Sequence, residues 1–124
     1  VAYAFSEDII LLGRTVLAVC VNAVLVRRSA WRNVARRAGK RCIEIEIVCS
    51  DQAEHRPRVE SRVADIVGHQ LPTWQQVCAR EYEPWPADLV IDTAGQHIEA
   101  SVSALRARLE GLDQDLRAAG DAEE

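Results

Sequence analysis

The sequence predicts an α/β domain built on a parallel sheet, and three observations lead there. Segments with helical spacing alternate with short β-favouring runs in the order α-β-α-β-α-α-β-α, the pattern in which crossover helices cover parallel strands. The run Thr15 to Val21, TVLAVCV, is uninterrupted and apolar, as expected of a strand buried on both faces. No internal repeat or low-complexity linker divides the chain.

Taken in order, Ala2 to Leu12 carries apolar residues at helical spacing and stops at Gly13, a suitable left-handed C-cap. The strand Thr15 to Val21 follows, then a loop over Asn22 to Val26. Ser29 is the expected N-cap of a helix through Ala38, which Gly39 ends. Cys42 to Cys49 alternates, placing Ile43, Ile45, Ile47 and Cys49 on one face and Glu44, Glu46 and Val48 on the other. Asp51, with Glu54 three positions later, forms a capping-box pattern for a helix toward Ile66. Val67 to Pro72 breaks that helix, and Thr73 or Trp74 opens another to about Glu83, which Pro84 and Pro86 stop. Asp88 to Asp92 is a short strand, Thr93 to Gln96 a turn, and His97 to about Arg117 an amphipathic helix. Its stripe is Ile98, Val102, Leu105, Leu109, Leu112 and Leu116. Gly120 to Glu124 is acidic, and residues 118–124 are expected to form a disordered tail.

Composition narrows the function classes. The chain has 124 residues, 48% of them hydrophobic, enough for one domain with a core. A net charge of −4 gives no global attraction to nucleic acid or an anionic membrane. Arg27, Arg28, Arg32, Arg36, Arg37, Lys40 and Arg41 nevertheless form one basic block, read as a solvated helix face rather than a nucleic-acid surface. The longest apolar run, Val16 to Val21, is too short to span a bilayer, and VAYAFSEDII lacks the features of a signal peptide. A cytoplasmic, membrane-free protein is expected. Cys20, Cys42, Cys49 and Cys78 form no C-x-x-C pair, so reduced thiols are expected, and together with the histidines they lack the paired spacings of a metal site.

In α/β sheets ligands bind beyond the carboxyl ends of the strands, here at Asn22, at Ser50 and Asp51, and at Thr93, Ala94 and Gly95. Arg58 and Arg62 stand four apart and share a helix face, with Arg56 to one side. Two guanidiniums on one face suit the oxygens of a polyphosphate. The same spacing equally fits a solvated face on which Glu54 and Arg58 make an i,i+4 pair.

The blocks DQAEHRPRVESR (Asp51 to Arg62), LPTWQQVCAREYEPW (Leu71 to Trp85) and LVIDTAGQ (Leu89 to Gln96), with VAYAFSEDIILLGRTVLA and SAWRNVARRAG upstream, resemble AAA-type ATP-binding proteins of the P-loop kinase branch. Relatives in that branch are zeta-toxin-like, chloramphenicol-phosphotransferase-like and gluconate-kinase-like. The resemblance implies a P-loop NTPase-like three-layer parallel sheet, with residues 1–117 as its C-terminal portion. It implies ATP and Mg²⁺ as cofactors and phosphoryl transfer to a hydroxyl-bearing small molecule. By the same resemblance Arg58 and Arg62 serve catalysis on a lid helix, and Arg56, Arg58, Arg62, Thr93, Ala94 and Gly95 contact the nucleotide. Asn22 and Arg28 lie on the acceptor side.

The chain departs from that pattern in three places. A glycine-rich loop ending in G-K-[ST] is absent, the glycines standing singly and Lys40 being the sole lysine; that loop and its strand would lie before Val1. Where the family reads A-D-S-V-N-P this chain reads A-V-C-V-N-A, so Val19 replaces a carboxylate and Cys20 a serine. Pro57 falls within the lid helix. The first strand of the resembled sheet would lie between Thr15–Val21 and Cys42–Cys49, and without it two edges lack partners. Self-association, or complementation by an N-terminal half, is therefore expected. The alternative to a kinase is a non-catalytic remnant or interaction module that keeps the scaffold.

Overall fold

A computed structural model describes residues 1–121. The elements are α1 (Ala2–Leu11), α2 (Leu25–Arg37), β1 (Ile45–Val48), α3 (Gln52–Glu60), α4 (Trp74–Ala79), β2 (Leu89–Asp92) and α5 (Ile98–Asp121). Residues 118–121, expected in an acidic tail, thus continue α5, and residues 122–124 lie outside the described residues. The chain divides into two compact units, Val1–Glu44 with Gln75–Pro86, and Ile45–Trp74 with Ala87–Glu124. No helix among the described residues is long and apolar enough to cross a membrane.

In the first unit the two expected glycine stops form. Gly13 has φ 79°, its N–H reaches Ile10 O at 2.9 Å, and Arg14 N–H reaches Ile9 O at 3.2 Å. Gly39, with φ 66°, repeats the arrangement through Arg36 O and Lys40 N–H to Ala35 O. Both are Schellman closures, in which a left-handed residue lets the last carbonyls find donors. The Tyr3 and Trp31 rings meet edge to face at 4.6 Å, and Arg37 pairs with Glu7 at 2.9 Å, tying α1 to α2.

Three expectations fail here. Thr15 to Val21 forms no strand: Leu17 and Val19 are 80% and 87% exposed and no ladder bonds run through the segment. A strand needs a neighbour for its N–H and C=O groups, and among the described residues this segment pairs with no other strand. Helix α2 begins at Leu25, not after Ser29, because the Glu83 carboxylate accepts from Leu25 N–H at 3.0 Å and caps the helix from 58 residues away. Helix α4 stops at Ala79 rather than near Glu83. The backbone after it turns instead to the start of α2: Glu83 N–H donates to Ala23 O at 2.8 Å.

Arg28 holds that junction. It is 2% exposed, and its Nε donates to Asn22 O at 2.7 Å and its Nη1 to Pro84 O at 2.9 Å. Its Nη2 serves Ala23 O at 3.0 Å and Glu83 O at 2.8 Å. The guanidinium also lies over the rings of Trp85 and Tyr82, 4.6 and 5.2 Å from their centroids. Nearby, Glu44 accepts from Arg32 and from Trp85 Nε1 at 2.8 Å. Burial pushes the Glu44 carboxyl up, but the hydrogen bonds of Arg32 and Trp85 and the charges of Arg32 and Arg28 outweigh it and hold the group below its ordinary 4.5.

The second unit is built on a two-stranded parallel sheet, β1 beside β2, in the register Ile45↔Leu89 through Val48↔Asp92. Leu89, Ile91 and Val59 are buried in it. Asp51 caps α3 as expected, its carboxylate accepting from Ala53 N–H at 2.9 Å. The helix passes through Pro57 and ends at Glu60, short of the expected Ile66. Pro57 lacks the N–H that would close the turn onto Ala53 O, so the interruption falls within the helix.

Two outcomes follow for the first unit. Arg28→Ala strips donors from four carbonyls and is expected to lower unfolding stability by at least about 3 kcal/mol, measured by urea denaturation; a loss below about 1 kcal/mol would contradict the role given to Arg28. Glu44 has a folded pKa below its unfolded one, so its contribution is complete above the unfolded value and is lost as pH falls through the folded value. Acid titration of stability is therefore expected to be flatter in Glu44→Gln than in the parent, and parallel curves would contradict the assignment.

Candidate functional site

The carboxyl ends of β1 and β2 open onto the segments Cys49 to Asp51 and Thr93 to Gly95. The parallel ladder continues one step past β2, where Thr93 N–H donates to Val48 O at 2.8 Å, and the Thr93 hydroxyl donates to the same oxygen at 3.0 Å. Asp92 then closes the two loops against each other: its Oδ1 accepts from Ser50 N–H at 3.1 Å and from Ala94 N–H at 3.0 Å. Hydrogen bonds from the Ser50 side chain and from the backbone N–H groups of Ala94 and Ser50 hold its carboxyl below the usual aspartate value. Gly95, at φ 66°, completes a turn in which Gln96 N–H reaches Thr93 O at 3.2 Å.

Helix α3 delivers Arg58 to this turn. Its Nη1 donates to Thr93 Oγ1 at 3.0 Å and its Nη2 to Thr93 O at 3.2 Å, across 35 residues of sequence. Nη1 also lies 3.9 Å from Cys49 Sγ. Glu54, one turn earlier, pairs with the Arg58 Nη2 through Oε1 while its Oε2 accepts from Gly95 N–H at 2.7 Å. A carboxylate thus sits between a guanidinium and a backbone donor. Beside this cluster lies a cavity of about 220 Å³ whose polar lining is Cys49, His55, Arg58, Arg62 and Thr93. The His55 ring meets Trp74 edge to face at 5.1 Å.

Of the residues the sequence singled out, Arg58, Arg62 and Thr93 line one cavity, Gly95 is joined to Arg58 through Glu54, and Ala94 is held by Asp92. Arg56 instead pairs with Glu60 at 2.9 Å along the exposed side of α3. Asn22 and Arg28 belong to the first unit, where Asn22 accepts from Cys20 Sγ and Arg28 is committed to four carbonyls. The sequence reading gave no part to Asp92 or to the Glu54–Gly95 bond. The signal for Asp92 was its place at the end of an apolar strand before T-A-G, where an aspartate side chain bonds backbone two residues on.

The lining of the cavity holds two guanidiniums and an imidazole but no carboxylate. Among the described residues no group of three or more His, Cys, Asp or Glu side chains is gathered for a metal ion. Mg²⁺ takes carboxylate, phosphate and water oxygens, so the donor set here fits an anion and does not by itself fit that cation. No family model matches the chain, and neither a curated protein nor a solved structure matches it.

The Thr93 hydroxyl joins strand, helix and turn. Thr93→Val is expected to cost roughly 1–2 kcal/mol in a denaturant titration, while Thr93→Ser should retain most of the stability. A larger loss in Thr93→Ser than in Thr93→Val would show that the methyl, not the hydroxyl, carries the junction.

Proposed function

We propose that the second unit binds the phosphate groups of a nucleotide, as part of a P-loop kinase-like scaffold. The observation that carries this reading is the bond from Arg58 to Thr93. Helix α3 and the turn after β2 are the two segments whose sequence resembles the lid and the adenine-side turn of that branch, and here they build one cationic recess at the carboxyl end of a parallel strand pair. Arg58 and Arg62 supply charge-assisted donors to phosphate oxygens. The Gly95 N–H adds a backbone donor, and Thr93 to Gly95 shape the base side.

The parent activity on this reading is transfer of the ATP γ-phosphate to a small hydroxyl-bearing acceptor. Arg58 and Arg62 would neutralise charge that develops on the transferred group. A glycine-rich phosphate loop is not in the sequence, and no cluster of carboxylates for Mg²⁺ is gathered among the described residues, so transfer on this reading depends on further groups. The residues in hand account for anion binding and no further step.

A second reading, a scaffold without chemistry, is favoured by one specific feature. The Arg58 fork is already engaged by Glu54 and Thr93, and Val19 stands where the resembled proteins carry an aspartate.

Calorimetry with ATP, with and without Mg²⁺, separates the two. Weak binding that does not require Mg²⁺ is expected, falling by on the order of tenfold or more in Arg58→Ala, Arg62→Ala. A folded parent chain that binds no ATP would favour the scaffold. Binding unchanged in the double variant would remove the site from this recess.

A further inference from the structure

Helix α5 carries a repeat that the nucleotide reading does not use. Its apolar residues Ile98, Val102, Leu105, Leu109, Leu112 and Leu116 follow one another at alternating steps of four and three, the a/d seam of a coiled coil rather than the broader stripe of a core-facing helix. Val102, Leu109 and Leu116 occupy a positions, and Ile98, Leu105 and Leu112 occupy d. At 24 residues the helix is about 36 Å long, against about 13 Å for the four residues of β2. Among the described elements it packs on β2 alone. It does so through the neighbouring face, where Ala100, Ser101, Ala104 and Arg108 line a cavity against the strand and Arg108 Nη1 donates to Val90 O at 2.6 Å. Half of the seam is open: Ile98, Val102 and Leu116 are 79%, 41% and 46% exposed, while Leu105, Leu109 and Leu112 are half-buried.

The flanking charges say what covers it. In this register the e and g positions are Arg106 and Arg108 in one heptad and Asp113 and Asp115 in the next, a basic block and an acidic block one heptad apart on the same helix. Two copies laid antiparallel about a two-fold axis near Glu110 and Gly111 bring each basic block against the other copy's acidic block. Arg106 then faces Asp113 of the second copy, and Arg108 faces Asp115. Parallel copies in register would match only Arg108 with Asp113, leaving Arg106 and Asp115 without opposite charge. Antiparallel macrodipoles also oppose each other favourably. A self-complementary face of this kind is what a two-fold dimer requires. We infer that α5 is a dimerisation helix whose partner is the α5 of a second copy of this chain, paired antiparallel through the a/d seam.

The test is sedimentation equilibrium of the full chain over a concentration series. The variants are Arg106→Asp and Asp113→Arg, both at exposed positions, with circular dichroism to verify that each keeps its helix content. The parent is expected to dimerise reversibly and more weakly at high salt. Each variant alone sets like charges face to face twice and is expected to raise the dimer dissociation constant by on the order of tenfold. An equimolar mixture of the two variants restores opposite charges between positions 106 and 113 and is expected to recover the parent's association as a heterodimer. A parent chain that stays monomeric would overturn the proposal. Folded variants that dimerise like the parent, or a mixture that gains nothing over its components, would overturn it equally.

Discussion

The second unit depends on one oxygen, the carbonyl of Val48. Both the N–H and the hydroxyl of Thr93 bind it, and Thr93 in turn receives both Nη groups of Arg58. Two parallel strands of four residues would not stand alone, because parallel pairs are ordinarily covered on both faces and embedded in larger sheets. Here the pairing is fastened at its carboxyl end by a side chain that belongs to a helix. The same contact that stabilises the sheet therefore places a guanidinium where α/β sheets bind ligands. Fold and site share a single constraint, so loosening Thr93 disturbs both.

The first unit solves a different problem with the same residue type. Among the described residues Arg28 is buried without a direct carboxylate partner, which is costly unless every polar contact is made. Four carbonyls and two aromatic faces supply those contacts, and Glu44 is close enough for the Arg28 charge to lower its pKa. Of the basic block, Arg32 and Arg37 are also held internally, by Glu44 and Glu7. Three of its seven residues, Arg28, Arg32 and Arg37, are thus tied to the fold, where a solvated helix face was expected.

What was legible in the sequence was local. The glycine stops at Gly13 and Gly39, the Asp51 cap, the strands around Ile45–Val48 and Leu89–Asp92 and their parallel pairing all follow from residue chemistry within a few positions or from the order of elements. What was not legible came from distant partners. The start of α2 is set by Glu83, and the early end of α4 accompanies carbonyls that Arg28 requires; no window of sequence contains both members of either pair. Thr15 to Val21 has the composition of a buried strand, yet composition cannot supply the neighbour that makes it one. At the site, the meeting of Arg58 with Thr93 was not legible: the resemblance implied separate nucleotide contacts for the two residues, and spacing alone fitted an ordinary Glu54–Arg58 pair, which also forms.

That coexistence bears on how the recess would work. The Glu54 carboxylate bridges the Arg58 guanidinium and the Gly95 N–H, the two donors that a phosphate would claim on the proposed reading. An incoming phosphate must displace Glu54, and the gain is the difference between two anions rather than the full strength of a guanidinium–phosphate contact. Arg62, two residues beyond the end of α3, lines the same cavity without a share in that bridge, so on the proposed reading it would contribute more of the net attraction. On the proposed reading the site would bind weakly and discriminate by charge, because only a ligand with more negative charge than one carboxylate recovers what Glu54 gives up. Polyphosphates meet that condition and singly charged anions do not.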